Sequence, residues 1–230
     1  MKTAIITGAS SGIGLELSKS LIESGFKVYG FGRNFDENNL KDTNFIPVIC
    51  DLTNVDNLTQ IIKGIKSKED VYVLVNNAGV GYFGPHEELN SRKIHEMVMI
   101  NLEVPLILTQ QLLRDLKKNE GYIINISSVT AKKISTYGCA YAATKAGLSH
   151  FAESLFEEVR KYGVKVVTIH PDITKTNFYR NANFKEGEKE DTYIYPAEIA
   201  DAVKMVLTQR EGLVLTDITL KPQRHRISRK

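Results

Sequence analysis

Lys2–Gly14 reads KTAIITGASSGIG. Lys2–Thr7 is a short apolar run that stops at a glycine, the pattern of a parallel strand buried on both faces. Glycines follow at 8, 12 and 14, and a helical pattern runs through Leu15, Leu17, Leu21 and Ile22 to Gly25. Gly25 sits where a left-handed residue closes a helix. Strand, glycine turn and helix start make an anion cradle: backbone N–H groups and the helix dipole face a phosphate, and glycine lets it approach closely. The spacing is G-x-x-x-G-x-G, not the G-x-G-x-x-G of the common dinucleotide fingerprint.

Outward from that junction, strands and helices alternate. Strand patterns cover Lys27–Phe31, Phe45–Cys50, Val71–Val75, Tyr122–Ser127, Lys165–His170 and Gly212–Leu220. Helical periodicity covers Val55–Lys66, Ser91–Lys118, a helix that carries Tyr141 and Lys145 and continues to about Tyr162, and Pro196–Gln209. No internal repeat or linker interrupts them. The alternation predicts one α/β domain over residues 1–230, a Rossmann-type, doubly wound parallel sheet of about seven strands with helices on both faces. Residues 177–193 are polar and charged with scattered aromatics and no period, a candidate lid over a site.

The chemistry concentrates in Asn125–Gly147, NISSVTAKKISTYGCAYAATKAG. Tyr141 and Lys145 are four apart, so on a helix they share a face. A free phenol has a pKa of about 10, and a fixed cation nearby lowers it. Ser128, thirteen residues before the tyrosine, falls at a strand end where its hydroxyl can bond a substrate oxygen. Y-x-x-x-K alone is a common helical pairing, so its meaning depends on the rest of the chain. The second strand ends at Gly32-Arg33 with no carboxylate until Asp36. In NAD-preferring domains an acid near this point takes the ribose hydroxyls, whereas an arginine pairs with a 2′-phosphate. Arg33 reads as that phosphate ligand or as a solvated loop residue. Asp51 either accepts from an adenine amino group or caps the next helix. Asn76-Asn77-Ala78-Gly79 puts small residues at a strand's carboxyl end, which suits backbone lying against a ligand. Asn101 lies inside a helix, where asparagine is neutral to unfavourable.

Composition narrows the classes. With 42% hydrophobic and 25% charged residues the chain is of ordinary globular type. No apolar run reaches the roughly 20 residues of a membrane helix, and the N-terminus has too short an apolar stretch for a signal peptide, so a cytoplasmic location is expected. Cys50 and Cys139 belong to no ligand motif and read as buried free thiols, and the five histidines show no metal spacing. No metal is expected. Five basic residues and no acid lie in the last ten, and without them 25 basic residues face 27 acidic ones. Such a tail can touch nucleic acid or a membrane, but reads first as a solvated end or a subunit contact.

Taken in order, these motifs resemble the short-chain dehydrogenase/reductase family in its compact branch. They are T-G-x-x-x-G-I-G at Thr7–Gly14, Asp51, N-N-A-G at Asn76–Gly79, Asn101, Ser128 and Y-x-x-x-K at Tyr141–Lys145. The resemblance implies Tyr141 as general acid and base, Ser128 as the group that polarises the substrate oxygen, Lys145 as a ribose ligand that lowers the tyrosine pKa, and Asn101 as the holder of a water behind the lysine. It places Gly8, Ser10, Ser11, Ile13 and Gly14 around the cofactor phosphates and ribose, Asp51 and Leu52 at the adenine, and Asn77, Ala78 and Gly79 along the ribose. Pro171, Ile173 and Thr176 would lie at the nicotinamide. Asp172 departs from the family's usual glycine, and would either tune the ring's environment or point to solvent. Arg33 resembles the subgroup that prefers NADP(H) over NAD(H).

The resulting expectation is an NADP(H)-dependent oxidoreductase acting on a carbonyl or secondary alcohol, with a 3-oxoacyl thioester as a narrower alternative. A non-catalytic NADP-sensing module is the rival from another class. An epimerase of the family's longer branch lacks room for its second domain, and a methyltransferase leaves Tyr141 and Lys145 unexplained. Tyr82, Phe83, residues 130–138 and 177–193 are the expected substrate wall. The resemblance also implies a homotetramer or homodimer, to which Ile107, Leu112, Leu148, Phe151 and Leu155 could contribute as readily as to the core.

Overall fold

Thr3–Thr7 (β1) is buried at every position, as a strand covered on both faces must be. The computed structural model describes residues 1–36, 38 and 40–230. Beside β1 lie Lys27–Gly32 (β2), Phe45–Ile49 (β3), Val71–Asn76 (β4), Tyr122–Ile126 (β5) and Lys165–Pro171 (β6). After a short strand Phe184–Glu186 (β7), Asp217–Leu220 (β8) completes the main sheet. Its order is β3-β2-β1-β4-β5-β6-β8, every pair parallel. The order reverses between β1 and β4, and a crevice opens at the carboxyl ends there, where such sheets bind ligands.

The α-helices among the described residues are Gly12–Glu23 (α1), Val55–Lys66 (α2), Ser91–Val98 (α3), Val104–Lys118 (α4), Cys139–Val159 (α5) and Pro196–Leu207 (α6). Leu17 and Leu21 of α1 and Ile199 and Val203 of α6 pack with Ala4, Ile6, Val73 and Val75 on one face. Leu58 and Ile62 of α2, Leu108 and Leu112 of α4 and Leu155 of α5 pack with Ile5, Leu74 and Ile123 on the other. Each such side chain contributes about 1.5–3 kcal/mol through burial. Leu112, Leu148 and Leu155 are therefore core, while Ile107 and Phe151 are only half-buried.

Three expectations are corrected. The single helix over Ser91–Lys118 is interrupted by a π turn, Met99–Glu103, in which the Val104 N–H reaches the Met99 carbonyl. A π turn is one extra residue in a helix and clusters at functional sites; this one carries Asn101. The basic tail, though largely exposed, is not a free end. Its Ile227–Arg229 forms a ninth strand (β9), antiparallel to β7 within the proposed lid. Finally, Cys139 is exposed because it opens α5 at the surface, with its Sγ 3.3 Å from His86 Nδ1, whereas Cys50 is buried.

Candidate active site

The glycine turn after β1 has the backbone that its composition suggests. Gly8 and Gly12 have φ of +67° and +55°, the left-handed region that side chains resist. A Cβ on Gly14 would lie 2.1 Å from the Gly8 carbonyl oxygen and 2.6 Å from Asn77 Nδ2, so α1 can approach only as glycine. The Asn77 amide donates to the Thr7 and Gly8 carbonyls at 2.8 and 3.3 Å, and the Thr7 hydroxyl accepts the Asn77 and Ala78 N–H groups at 3.0 Å each. The turn is thus stitched to the end of β4. The side chain of Ser11, at the cap of α1, makes no cap bond, and no acid lies in the helix's first turn. Its free N–H groups face the crevice, the arrangement a phosphate satisfies.

One cavity of about 620 Å³ runs from this turn to the end of β5. Ser10, Ser11, Arg33 and Asp51 line it together with Ser128, Tyr141 and Lys145. A Cβ on Gly32 would meet the Phe35 ring at 2.9 Å and Ser10 at 3.0 Å, which leaves no room there for an acidic side chain. Arg33, exposed, is the charge at that edge. Asp51 Oδ1 accepts the Thr53 N–H and hydroxyl at 3.0 and 2.8 Å, bonds that hold its carboxyl below the usual range. The cap of α2 is Asn54, which accepts from Asn57 N–H, so the helix-cap alternative for Asp51 is taken by its neighbour.

Three side chains converge at the other end. Ser128 opens a 3-10 turn, Val129–Ala131, and its Oγ accepts from the Thr130 N–H at 3.2 Å and the Thr130 hydroxyl at 3.0 Å. Tyr141 is buried under Phe83 and Phe178, whose ring centroids are 5.4 and 5.7 Å away. Burial pushes its pKa well above that of a free phenol, and the neighbouring Ser128 works in the opposite direction. Lys145 Nζ lies 5.9 Å from the Tyr141 ring and donates to the Ile126 carbonyl at 2.8 Å. Burial pushes its pKa down to about 8. Desolvation is the largest effect on the tyrosine's proton affinity here.

Asn101, fully buried, spends its side chain on structure. Oδ1 accepts the Val80 N–H and Nδ2 donates to the Val80 carbonyl, both at 2.9 Å, with a further bond to Thr144 Oγ1 at 3.1 Å. This strand-like pairing clamps the chain just after Gly79, where a Cβ would sit 3.5 Å from Asn101 Oδ1 and 3.6 Å from Lys145 Nζ. The awkward helix-interior asparagine thus fixes the wall of the crevice next to the lysine.

The structure places most of the expected residues on the cavity: Gly8, Ser10, Ser11, Ile13, Arg33, Asp51, Leu52, Asn77, Ala78, Gly79, Pro171 and Thr176 line it with Ser128, Tyr141 and Lys145. Gly14, Asn101 and Ile173 lie behind its surface, and residues 130–138 do not line it. Sequence reasoning named Gly12 in the glycine turn but not among the cofactor residues, although it lines the cavity. It also passed over Glu96, which accepts the Tyr82 hydroxyl at 2.7 Å, and Arg180, at the cavity edge. Asp172 does not point to solvent: only 8% exposed, its side chain faces His225 of the tail at 3.3 Å and Lys133 at 3.7 Å. The segment 177–193 presses Phe178, Tyr179 and Phe184 against Phe83 and Tyr141.

A sequence model described as short chain dehydrogenase matches residues 2–187. The chain belongs to the short chain dehydrogenase family. Within it, the 3-oxoacyl-(acyl-carrier-protein) reductase FabG of Buchnera aphidicola is 32% identical over 231 residues, covering 95% of this chain and 94% of that one. An alcohol dehydrogenase from the archaeon Thermococcus sibiricus, complexed with 5-hydroxy-NADP, superposes with a TM-score of 0.88 at 26% identity, over 98% of this chain and 99% of that one. The fold also matches a 3-ketoacyl-(acyl-carrier-protein) reductase from Brucella melitensis complexed with NADH, TM-score 0.85 at 22% identity, over 95% and 96% of the two chains. The dehydrogenase has no helix among its described residues long and apolar enough to cross a membrane. Nor do three His, Cys, Asp or Glu side chains come together there to hold a metal ion.

Proposed function

We propose that this dehydrogenase is an NADP(H)-dependent reductase of carbonyl compounds, with Tyr141 as the proton donor. The observation that carries the reading is the cavity itself, which joins a cradle for phosphate and an exposed arginine to Ser128, Tyr141 and Lys145 on one wall. When bound, the nicotinamide dinucleotide supplies the hydride. Gly8, Ser10, Ser11, Gly12 and Ile13 hold its phosphates, Arg33 the 2′-phosphate, and Lys145 a ribose. Ser128 holds the substrate oxygen and Tyr141 gives it a proton. Burial keeps that proton on the phenol at neutral pH, which suits reduction more than alcohol oxidation. Residues 177–193 act as the lid that keeps water from the reacting oxygen. The 32% relative makes a 3-oxoacyl thioester the first narrower substrate class to try.

The test is consumption of NADPH, with NADH in parallel, against benzaldehyde, menadione and acetoacetyl-CoA. Tyr141→Phe is expected to lower kcat by about 10²–10⁴-fold while NADPH affinity, read by fluorescence, stays within about threefold. Undiminished turnover in that variant sinks the assignment of the acid. Tight NADPH binding with no turnover on any of these compounds favours the sensing module instead.

A further inference from the structure

One buried titratable side chain has no part in the chemistry above. His170, on β6, is fully buried, and both its ring nitrogens are engaged. Nδ1 lies 3.1 Å from the Ser128 carbonyl oxygen and Nε2 lies 2.9 Å from Asp217 Oδ2. A peptide carbonyl and a carboxylate accept hydrogen bonds and donate none. A neutral imidazole carries one N–H, so it would turn a lone pair against one of those acceptors. Only the doubly protonated ring satisfies both.

We propose that His170 is the positioning residue for Ser128, held as an imidazolium between the Ser128 carbonyl and Asp217. The proposal rests on the reading that Ser128 holds the substrate oxygen. Ser128 follows the end of β5, and a residue past a strand end has no ladder to fix it. Here its carbonyl is pinned from two sides, by His170 and by the Ala131 N–H at 3.0 Å. That fixes the peptide plane, and so the direction of the Cα–Cβ bond that carries the hydroxyl toward Tyr141. Asp217, on β8, holds the ring from behind and also pairs with Lys132, four residues beyond Ser128. Serine, histidine, aspartate and lysine thus close a circuit around the catalytic turn.

The links differ in worth. Lys132 and Asp217 are more than two-fifths exposed, so their pairing is screened and contributes little. The His170 bond to the Ser128 carbonyl is buried, where an unmet acceptor is costly, whereas its bond to Asp217 is only part-buried. The histidine is therefore the member whose loss would release Ser128. A displacement of about 1 Å in a reacting group costs on the order of 10²-fold in rate.

The experiment is a double-mutant cycle on the full chain, assayed with whichever of benzaldehyde, menadione and acetoacetyl-CoA is turned over fastest. Nuclear magnetic resonance of ¹⁵N-histidine-labelled enzyme accompanies it. His170→Phe keeps a flat ring, somewhat larger, and loses both donors; it is expected to lower kcat about 10–100-fold with NADPH affinity unchanged within twofold. His170→Gln, which keeps one donor, is expected to recover part of that loss. In a Ser128→Ala background His170→Phe is expected to cost little more, because it acts through the serine. The labelled wild-type enzyme is expected to show protons on both His170 nitrogens, and Asp217→Asn to show one. An undiminished kcat in His170→Phe, full additivity with Ser128→Ala, or a singly protonated ring overturns the proposal. Parallel loss of NADPH binding and of thermal stability, without recovery by glutamine, reduces His170 to a core residue and overturns it too. If Ser128→Ala itself keeps full turnover, the reading of Ser128 has failed instead.

Discussion

The two ends of the cavity are built on opposite plans. At the cradle end, function depends on atoms that are missing: glycines 8, 12 and 14 let backbone approach backbone, and Thr7 and Asn77 fasten the turn to β4. At the reacting end, function depends on side chains packed densely. Phe83, Phe178, Tyr179 and Phe184 crowd Tyr141, and Lys145 is buried beside them. The first plan tolerates no added atom; the second puts titratable groups where solvent cannot relax around them. They should therefore fail in different ways.

The largest effect is expected at the cradle. Gly14→Ala puts a Cβ 2.1 Å from a backbone oxygen that no rotamer can move. Overpacking of this kind costs about 1–3 kcal/mol or more, and the turn must shift with it. NADPH affinity, read by fluorescence titration, should fall at least about 100-fold. Gly64→Ala, on α2 with nothing within 4 Å of the added Cβ, should instead stabilise the protein by about 0.5–1 kcal/mol. Equal behaviour of the two variants would break the contrast.

Next in size is a pH effect confined to the reacting end. Without cofactor, Lys145 in the folded chain loses its proton near pH 8, while in the unfolded chain it keeps it to about 10.4. Between those values the unfolded state binds more protons, so stability should rise with pH. Tyr141 acts oppositely, but only from about pH 10, where the unfolded phenol begins to ionise and the buried one does not. The urea midpoint should therefore increase from pH 8 to pH 10, by on the order of 2 kcal/mol in stability. Lys145→Met should flatten the rise. A rise that survives the substitution would place its source elsewhere.

The same contrast explains what the sequence made legible. Strands buried on both faces are apolar runs, and glycine at a strand-to-helix junction has few other uses, so the cradle and β1 to β6 could be read to within one residue at the strand ends. The helix Val55–Lys66 was legible to its ends because Asn54 caps it and its apolar face repeats. The π turn at Asn101 was not, because one inserted residue scarcely alters a helical period. β7 and β9 are three residues each and charged, so neither carries a strand pattern. The partners of His170 were hidden for another reason: Asp217 is 47 residues away, and only the alignment of β6 with β8 brings it close.

Arg33 offers a smaller test of the cradle. A charge-assisted hydrogen bond contributes about 1.5–3 kcal/mol, so Arg33→Ala should weaken NADPH about 10–100-fold and NADH less than about threefold. Equal losses for the two cofactors would remove the basis for NADP(H) preference.

The smallest effect is expected where the reacting end is held from outside. The tail follows the lid closely: Arg224 N–H donates to the Asp191 carbonyl at 2.8 Å, Gly187 N–H to the Arg226 carbonyl at 3.2 Å, and Lys230 N–H to the Asn183 carbonyl at 2.9 Å. His225 adds its contact with Asp172. Most of these groups are exposed, Gly187 and Asp172 excepted, and hydrogen bonds of this kind contribute a net of about 0.5–1.5 kcal/mol each at most. The aromatic cluster, made by the lid's own residues, stays when the tail is removed. Deleting residues 224–230 should therefore loosen the lid without opening it. Trypsin should cut at Lys185 and Lys189 several-fold faster, while NADPH affinity, set by the cradle, stays unchanged. Unaltered cleavage would mean that the aromatic packing alone holds the lid. Lost NADPH affinity would mean that the two ends of the cavity are coupled, and that the division between them is less sharp than their construction suggests.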